Sequence, residues 1–142
     1  GVFYQAFAKG RIKEVPGVHA DTPYNDVTVV IYLTPGLPFD RGTSLWMHKR
    51  TGLCDAPTAA AARRLGVKLS DLWGLFERDS RDRSKWVEID RAGYRANRMV
   101  AYPSGALHSA TKHHGGNIQN VRLYQTFRIG VDWKGSKYGT GR

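Results

Sequence analysis

Between Val27 and Leu33 the chain reads VTVVIYL, β-branched or aromatic at almost every position and bounded by Asn25-Asp26 and Pro35-Gly36. Such a run predicts a strand. Because both of its faces are apolar, it belongs at the centre of a covered sheet, with Thr28, Val30 and Tyr32 on one side and Val29, Ile31 and Leu33 on the other. Residues 121–129 follow a different rule. Val121, Leu123, Phe127 and Ile129 alternate with Arg122, Tyr124, Thr126 and Arg128, which predicts a strand with one apolar face and one face of cations and hydroxyls. That polar face meets either solvent or a cavity that holds something small and anionic.

Further strands are predicted at Thr43 to His48, Lys85 to Asp90 and Arg98 to Tyr102, and at the N-terminus at Val2 to Ala8 and Ile12 to Val15 around a Lys9-Gly10-Arg11 turn. Residues 54–90 break this pattern. Ala59 to Leu65 and Leu72 to Arg78 are rich in helix formers, with Ser70 or Asp71 as N-cap, and predict a short helical insertion. Strands at both ends with one helical interruption indicate a mainly β fold, an antiparallel sandwich or barrel, rather than alternating βαβ units.

Composition narrows the class. The chain has 142 residues, 41% of them hydrophobic, enough for one core and too few for two full domains. We expect a single domain over 1–133 with a basic, flexible tail at 134–142. One cysteine, Cys54, allows no intrachain disulfide, and no signal peptide is visible, so a cytoplasmic, reducing compartment is expected. The chain opens at Gly1, which is read as a processed or trimmed product or as part of something longer. Its apolar runs are too short to span a bilayer. The formal charge of +10 admits nucleic acid, an acidic surface or an anionic small molecule, and does not choose among them.

Candidate chemistry lies at His19-Ala20-Asp21 and at His108, which follows Pro103-Ser104-Gly105. Two imidazoles and one carboxylate on one side of a metal, leaving other positions open, are the ligand set of non-haem Fe(II) sites that bind a cosubstrate and O₂. The flanking residues extend the pattern: His-Ala-Asp-Thr-Pro at 19–23, Thr28 to Thr34, Gly42-Thr43, Asn97 to Pro103 leading to His108, and Asn120-Val121-Arg122, in that order. On these motifs the chain resembles the prolyl-hydroxylase-like branch of the Fe(II)/2-oxoglutarate-dependent oxygenases, over about residues 14 to 133 without the 54–90 insertion.

The resemblance implies a double-stranded β-helix, the jelly-roll or cupin-like fold, and a dioxygenase of the hydroxylase type that releases succinate and CO₂ from 2-oxoglutarate. It implies that His19, Asp21 and His108 are the catalytic metal ligands, with Fe(II), 2-oxoglutarate and O₂ as cofactor and cosubstrates. Arg122 falls where the family anchors the distal carboxylate of 2-oxoglutarate, Tyr32 where a tyrosine assists it, and Tyr124 where a small hydroxyl residue is usual. Around the mouth of such a barrel, Trp46, His48, Arg50, the insertion and Trp73 are candidates for binding a primary substrate, whether small molecule, peptide or protein. Two rivals stand beside this reading: a non-catalytic β-barrel module that binds nucleic acid or an acidic partner, and a cupin-type metal enzyme that never binds 2-oxoglutarate.

Overall fold

The computed structural model describes residues 1–9, 16–21 and 26–131. The strand expected at Ile12 to Val15 and the basic tail lie outside them. The strands are β1 (Val2–Ala6), β2 (Val27–Tyr32), β3 (Thr43–His48), β4 (Trp86–Ala92), β5 (Met99–Pro103), β6 (His108–Ala110) and β7 (Arg122–Ile129), and the helices are α1 (Ala59–Leu65) and α2 (Leu69–Asp79). Mainly β architecture with one helical segment is therefore what the pattern implied.

All strand pairs are antiparallel and form two sheets, ordered β1-β7-β2-β5 and β4-β3-β6. The hydrogen-bonded ladders of the two sheets do not join into a closed barrel among the described residues. As its composition demanded, β2 is a central strand, flanked by β7 and β5, with Thr28, Val29, Val30 and Tyr32 buried. Ile31 and Leu33, on its other face, are only half-buried, so the cover there is thinner than the run of apolar residues suggested.

The two helices pack on the face of β3 that carries Trp46. Val18, Trp46, Leu53, Ala62, Leu72, Phe76, Trp86 and Leu107 form this core. A second core, of Val30, Tyr32, Tyr94 and Tyr102, belongs to the four-stranded sheet. Helix α1 occupies its expected span because its ends are specified: the Ala61 N–H donates to the Thr58 hydroxyl at 3.1 Å, and Gly66 closes it at φ 67°.

Helix α2 corrects the expected start. It begins at Leu69, with Lys68 in the cap position and no side-chain capping bond, so Ser70 and Asp71 sit in its first turn. Burial of Leu72 and Phe76 against β3 and β4 stabilises that extra turn, and Asp71 suits the positive end of the helix dipole.

Gly42, at the entrance to β3, leaves no room for a side chain: a Cβ there would lie 1.9 Å from the Ala92 carbonyl oxygen and 2.9 Å from the Tyr94 nitrogen. Both are backbone atoms and cannot swing away. Gly42→Ala is therefore expected to destabilise the protein by at least about 2 kcal/mol, read as a lower urea midpoint. An unchanged midpoint would contradict this close approach of β3 and β4.

Candidate metal centre

His19 and His108 are locked to one another through their backbones. The His19 N–H donates to the His108 carbonyl at 2.9 Å and the His108 N–H to the His19 carbonyl at 2.8 Å, an antiparallel bridge that places the segment 16–21 beside β6. Two residues on, the Asp21 N–H donates to the Ser104 carbonyl at 2.9 Å. The H-x-D spacing thus works as in a strand: residues two apart point the same way, and His19 and Asp21 face His108 together. One ligand atom from each of the three lies within 4.8 Å of the others.

Chemistry as well as distance suits a metal. The Nδ1 of His19 lies 3.0 Å from the Gly17 carbonyl and the Nδ1 of His108 lies 2.9 Å from the Ala106 carbonyl. A carbonyl can only accept, so Nδ1 carries a proton in both rings and Nε2 is the nitrogen left to a metal. Burial, and next the neighbouring His19, hold His108 well below the ordinary histidine range, so its ring is neutral at pH 7. The His108 Nε2 faces the Asp21 Oδ2 at 3.7 Å.

Asp21 is gripped from two strands. The Thr28 hydroxyl donates to its Oδ2 at 2.5 Å and the Arg128 Nη2 lies 2.8 Å from its Oδ1. Thr28 and Arg128 sit opposite each other in the β2–β7 register, which explains how both reach one carboxylate. Ser104 supports Thr28 at 2.9 Å. These three residues are absent from the sequence expectation as site residues. The alternation of 121–129 placed Arg128 on the polar face, but its partner follows only from strand pairing.

The polar face of β7 does meet a cavity. Arg122, Tyr124, Thr126 and Arg128 line a space of about 280 Å³ between the two sheets, together with Thr28, Tyr102 and the three potential ligands. Arg122 is 2% exposed. Its Nε donates to the Arg41 carbonyl at 2.7 Å and its Nη2 reaches the Gly42 carbonyl at 3.4 Å. The guanidinium stands 4.4 Å from the centre of the Tyr124 ring and 5.4 Å from that of Tyr32. Among the described residues no carboxylate pairs with it. Burial raises the Tyr32 phenol, so it stays a donor, here to the Thr43 hydroxyl at 2.8 Å. Burial and the charge of Asp21 likewise keep Tyr102, whose ring lies 4.6 Å from that of His108, protonated.

Trp46, His48 and Arg50 do not line this cavity. Trp46 lies in the core under the helices, with its indole N–H donating to Ser109 at 3.0 Å and the Arg83 guanidinium 4.6 Å from its ring. His48 is 1% exposed, bonded to Asp79 at 3.0 Å and Thr51 at 3.1 Å and packed against Phe76 and Trp86. Arg50 is exposed just past the end of β3. None of the three therefore faces the His-Asp-His cluster through this cavity, and the first two pin helices to sheet. His48→Ala should cost about 2–4 kcal/mol of stability in a urea titration, while metal affinity at the His19 cluster stays unchanged. A loss of that affinity in a folded His48→Ala protein would refute this structural assignment.

A model of a family described as a family of unknown function, DUF6445, matches residues 11–122, more than half of the chain and a span that holds His19, Asp21, His108 and Arg122. No curated protein and no solved structure matches the chain. No helix among the described residues is long and apolar enough to cross a membrane.

Proposed function

We propose that this chain, which belongs to the DUF6445 family of unknown function, is an Fe(II)- and 2-oxoglutarate-dependent oxygenase with a double-stranded β-helix core, and that it hydroxylates its primary substrate. The observation that carries this reading is Arg122. A cation that is 2% exposed and has no carboxylate partner among the described residues costs several kcal/mol in desolvation, and here it lines the same cavity as a His-Asp-His cluster. An anion entering that cavity offsets the cost. The two arginines of the lining against the single acid Asp21 favour such an anion before any metal is counted.

The residues divide the work. His19, Asp21 and His108 would hold Fe(II) through two Nε2 atoms and a carboxylate oxygen, three ligands that leave its remaining positions for cosubstrate and O₂. Iron held there supplies O₂ activation coupled to oxidative decarboxylation, with one oxygen atom going to succinate and the other into a substrate C–H bond. Arg122 binds the distal carboxylate of 2-oxoglutarate with a planar two-pronged donor; Tyr124 walls the cavity beside it, and Tyr32, buried outside the cavity lining, packs near the guanidinium. Thr28 and Arg128 hold the Asp21 carboxyl in its orientation.

The test is uncoupled turnover. Purified protein supplied with Fe(II), ascorbate, 2-oxoglutarate and air should release succinate above the level of the Asp21→Asn protein. Equal release from the two proteins would overturn the catalytic reading.

A further inference from the structure

His19 belongs to two spaces. It lines the inner cavity, and it also lines an outer cleft of about 680 Å³ bounded by Gly17, Val18, Trp73, Phe76, Glu77 and Arg81 among others. That volume falls within the range of small-molecule sites, about 300–1,000 Å³. Helix α2 builds the far wall, since Trp73, Phe76, Glu77 and Ser80 recur at the spacing of one helix face. The wall is fixed to the metal-binding segment: the Val18 N–H donates to the Ser80 carbonyl at 2.8 Å.

Three features of this wall bear on what fits it. Trp73 is 39% exposed, although an indole on a packed helix ordinarily turns inward, and its exposed surface borders the cleft. The floor is apolar, with Val18, Phe76 and Leu107 buried. Glu77 and Arg81 are exposed and form no ion pair with each other or with any other described residue. The helix ends at Asp79, so Arg81 leaves the helical track on which a partner four residues on would close the pair.

From these observations we infer that the outer cleft binds a free amino acid with an apolar or aromatic side chain, as the primary substrate presented to His19. The side chain lies on Trp73 and Phe76, Glu77 receives the ammonium group and Arg81 the carboxylate. An open acid, an open base and an exposed aromatic face in one cleft match the three parts of that zwitterion, whereas a polyanion or a neutral lipid would leave Glu77 opposed or both charges unanswered. This inference rests on the oxygenase reading for its consequence, hydroxylation, but not for its binding.

The binding is therefore measured without iron. Saturation-transfer NMR on the metal-free chain, with L-phenylalanine and L-leucine as probes, should show transfer to ring and methyl protons. N-acetyl-L-phenylalanine and L-phenylalaninamide, each lacking one charge, should bind roughly 10-fold or more weakly, the usual loss for one charged hydrogen bond. Trp73→Ala should abolish transfer. Glu77→Gln should erase only the discrimination against the acetylated probe, and Arg81→Gln only that against the amide. Absence of transfer from both amino acids, equal binding of the neutralised analogues, or full binding by a folded Trp73→Ala protein would overturn the inference. If the amino acids bind and no iron–2-oxoglutarate chelate forms, the oxygenase reading fails while the cleft stands. If the chelate forms and they do not bind, the reverse holds.

Discussion

Asp21→Asn is expected to abolish tight Fe(II) binding, lowering affinity by more than about 100-fold, beyond the range seen when only a supporting hydrogen-bond partner of a ligand is lost. The substitution keeps the shape of the side chain and a carbonyl oxygen for the Thr28 hydroxyl, so the local fold persists. What disappears is the negative charge between His108 and Arg128. A neutral amide is a poor ligand for the metal and leaves Arg128 without its ion pair. Calorimetric titration of Fe(II) under anaerobic conditions, with thermal melting as the folding control, measures the effect. An affinity that survives in the folded variant would move the metal site elsewhere.

Arg122→Met should separate binding from stability. Replacing the guanidinium by an apolar chain of similar length removes a desolvated cation, which is favourable, and orphans the Arg41 carbonyl, which costs about 1–3 kcal/mol, while the Gly42 carbonyl keeps the Thr111 N–H at 2.9 Å. These effects oppose, and the net change in unfolding free energy should stay within about 2 kcal/mol. Affinity for 2-oxoglutarate has no such offset. Loss of a buried charge partner costs about 2–5 kcal/mol, a fall of roughly 30-fold to several thousand-fold. A side chain kept for binding at the expense of stability behaves in this way, whereas a structural arginine would lower both together.

Much of the site was legible because it depends on local rules. The alternation at 121–129 put Arg122, Tyr124, Thr126 and Arg128 on one face, and these residues line the inner cavity. The H-x-D spacing put His19 and Asp21 on one side of an extended segment, and they do converge with His108. Less accessible was anything set by pairing across the chain. The three-residue strand β6 has no signal of its own and exists because β3 and His19 bond to it on either side.

The roles of Trp46 and His48 depended on which face of β3 meets the helices, and no local pattern in Thr43–His48 carries that information. Their burial against Phe76 and Trp86 is a tertiary outcome. Asp21's clamp was hidden for the same reason, since Thr28 and Arg128 are a hundred residues apart in sequence and opposite in register. The early start of α2 reflects packing of Leu72 and Phe76 overriding the capping preference of Ser70.

The most direct test of the central claim is an anaerobic optical titration. Fe(II) followed by 2-oxoglutarate should generate the visible charge-transfer band of a bidentate 2-oxo acid chelate in the unmodified protein, and the band should be lost in Asp21→Asn and shifted to much higher cosubstrate concentration in Arg122→Met. A protein that shows no band, or a band indifferent to both substitutions, would contradict the assignment of His19, Asp21, His108 and Arg122 as an oxygenase site.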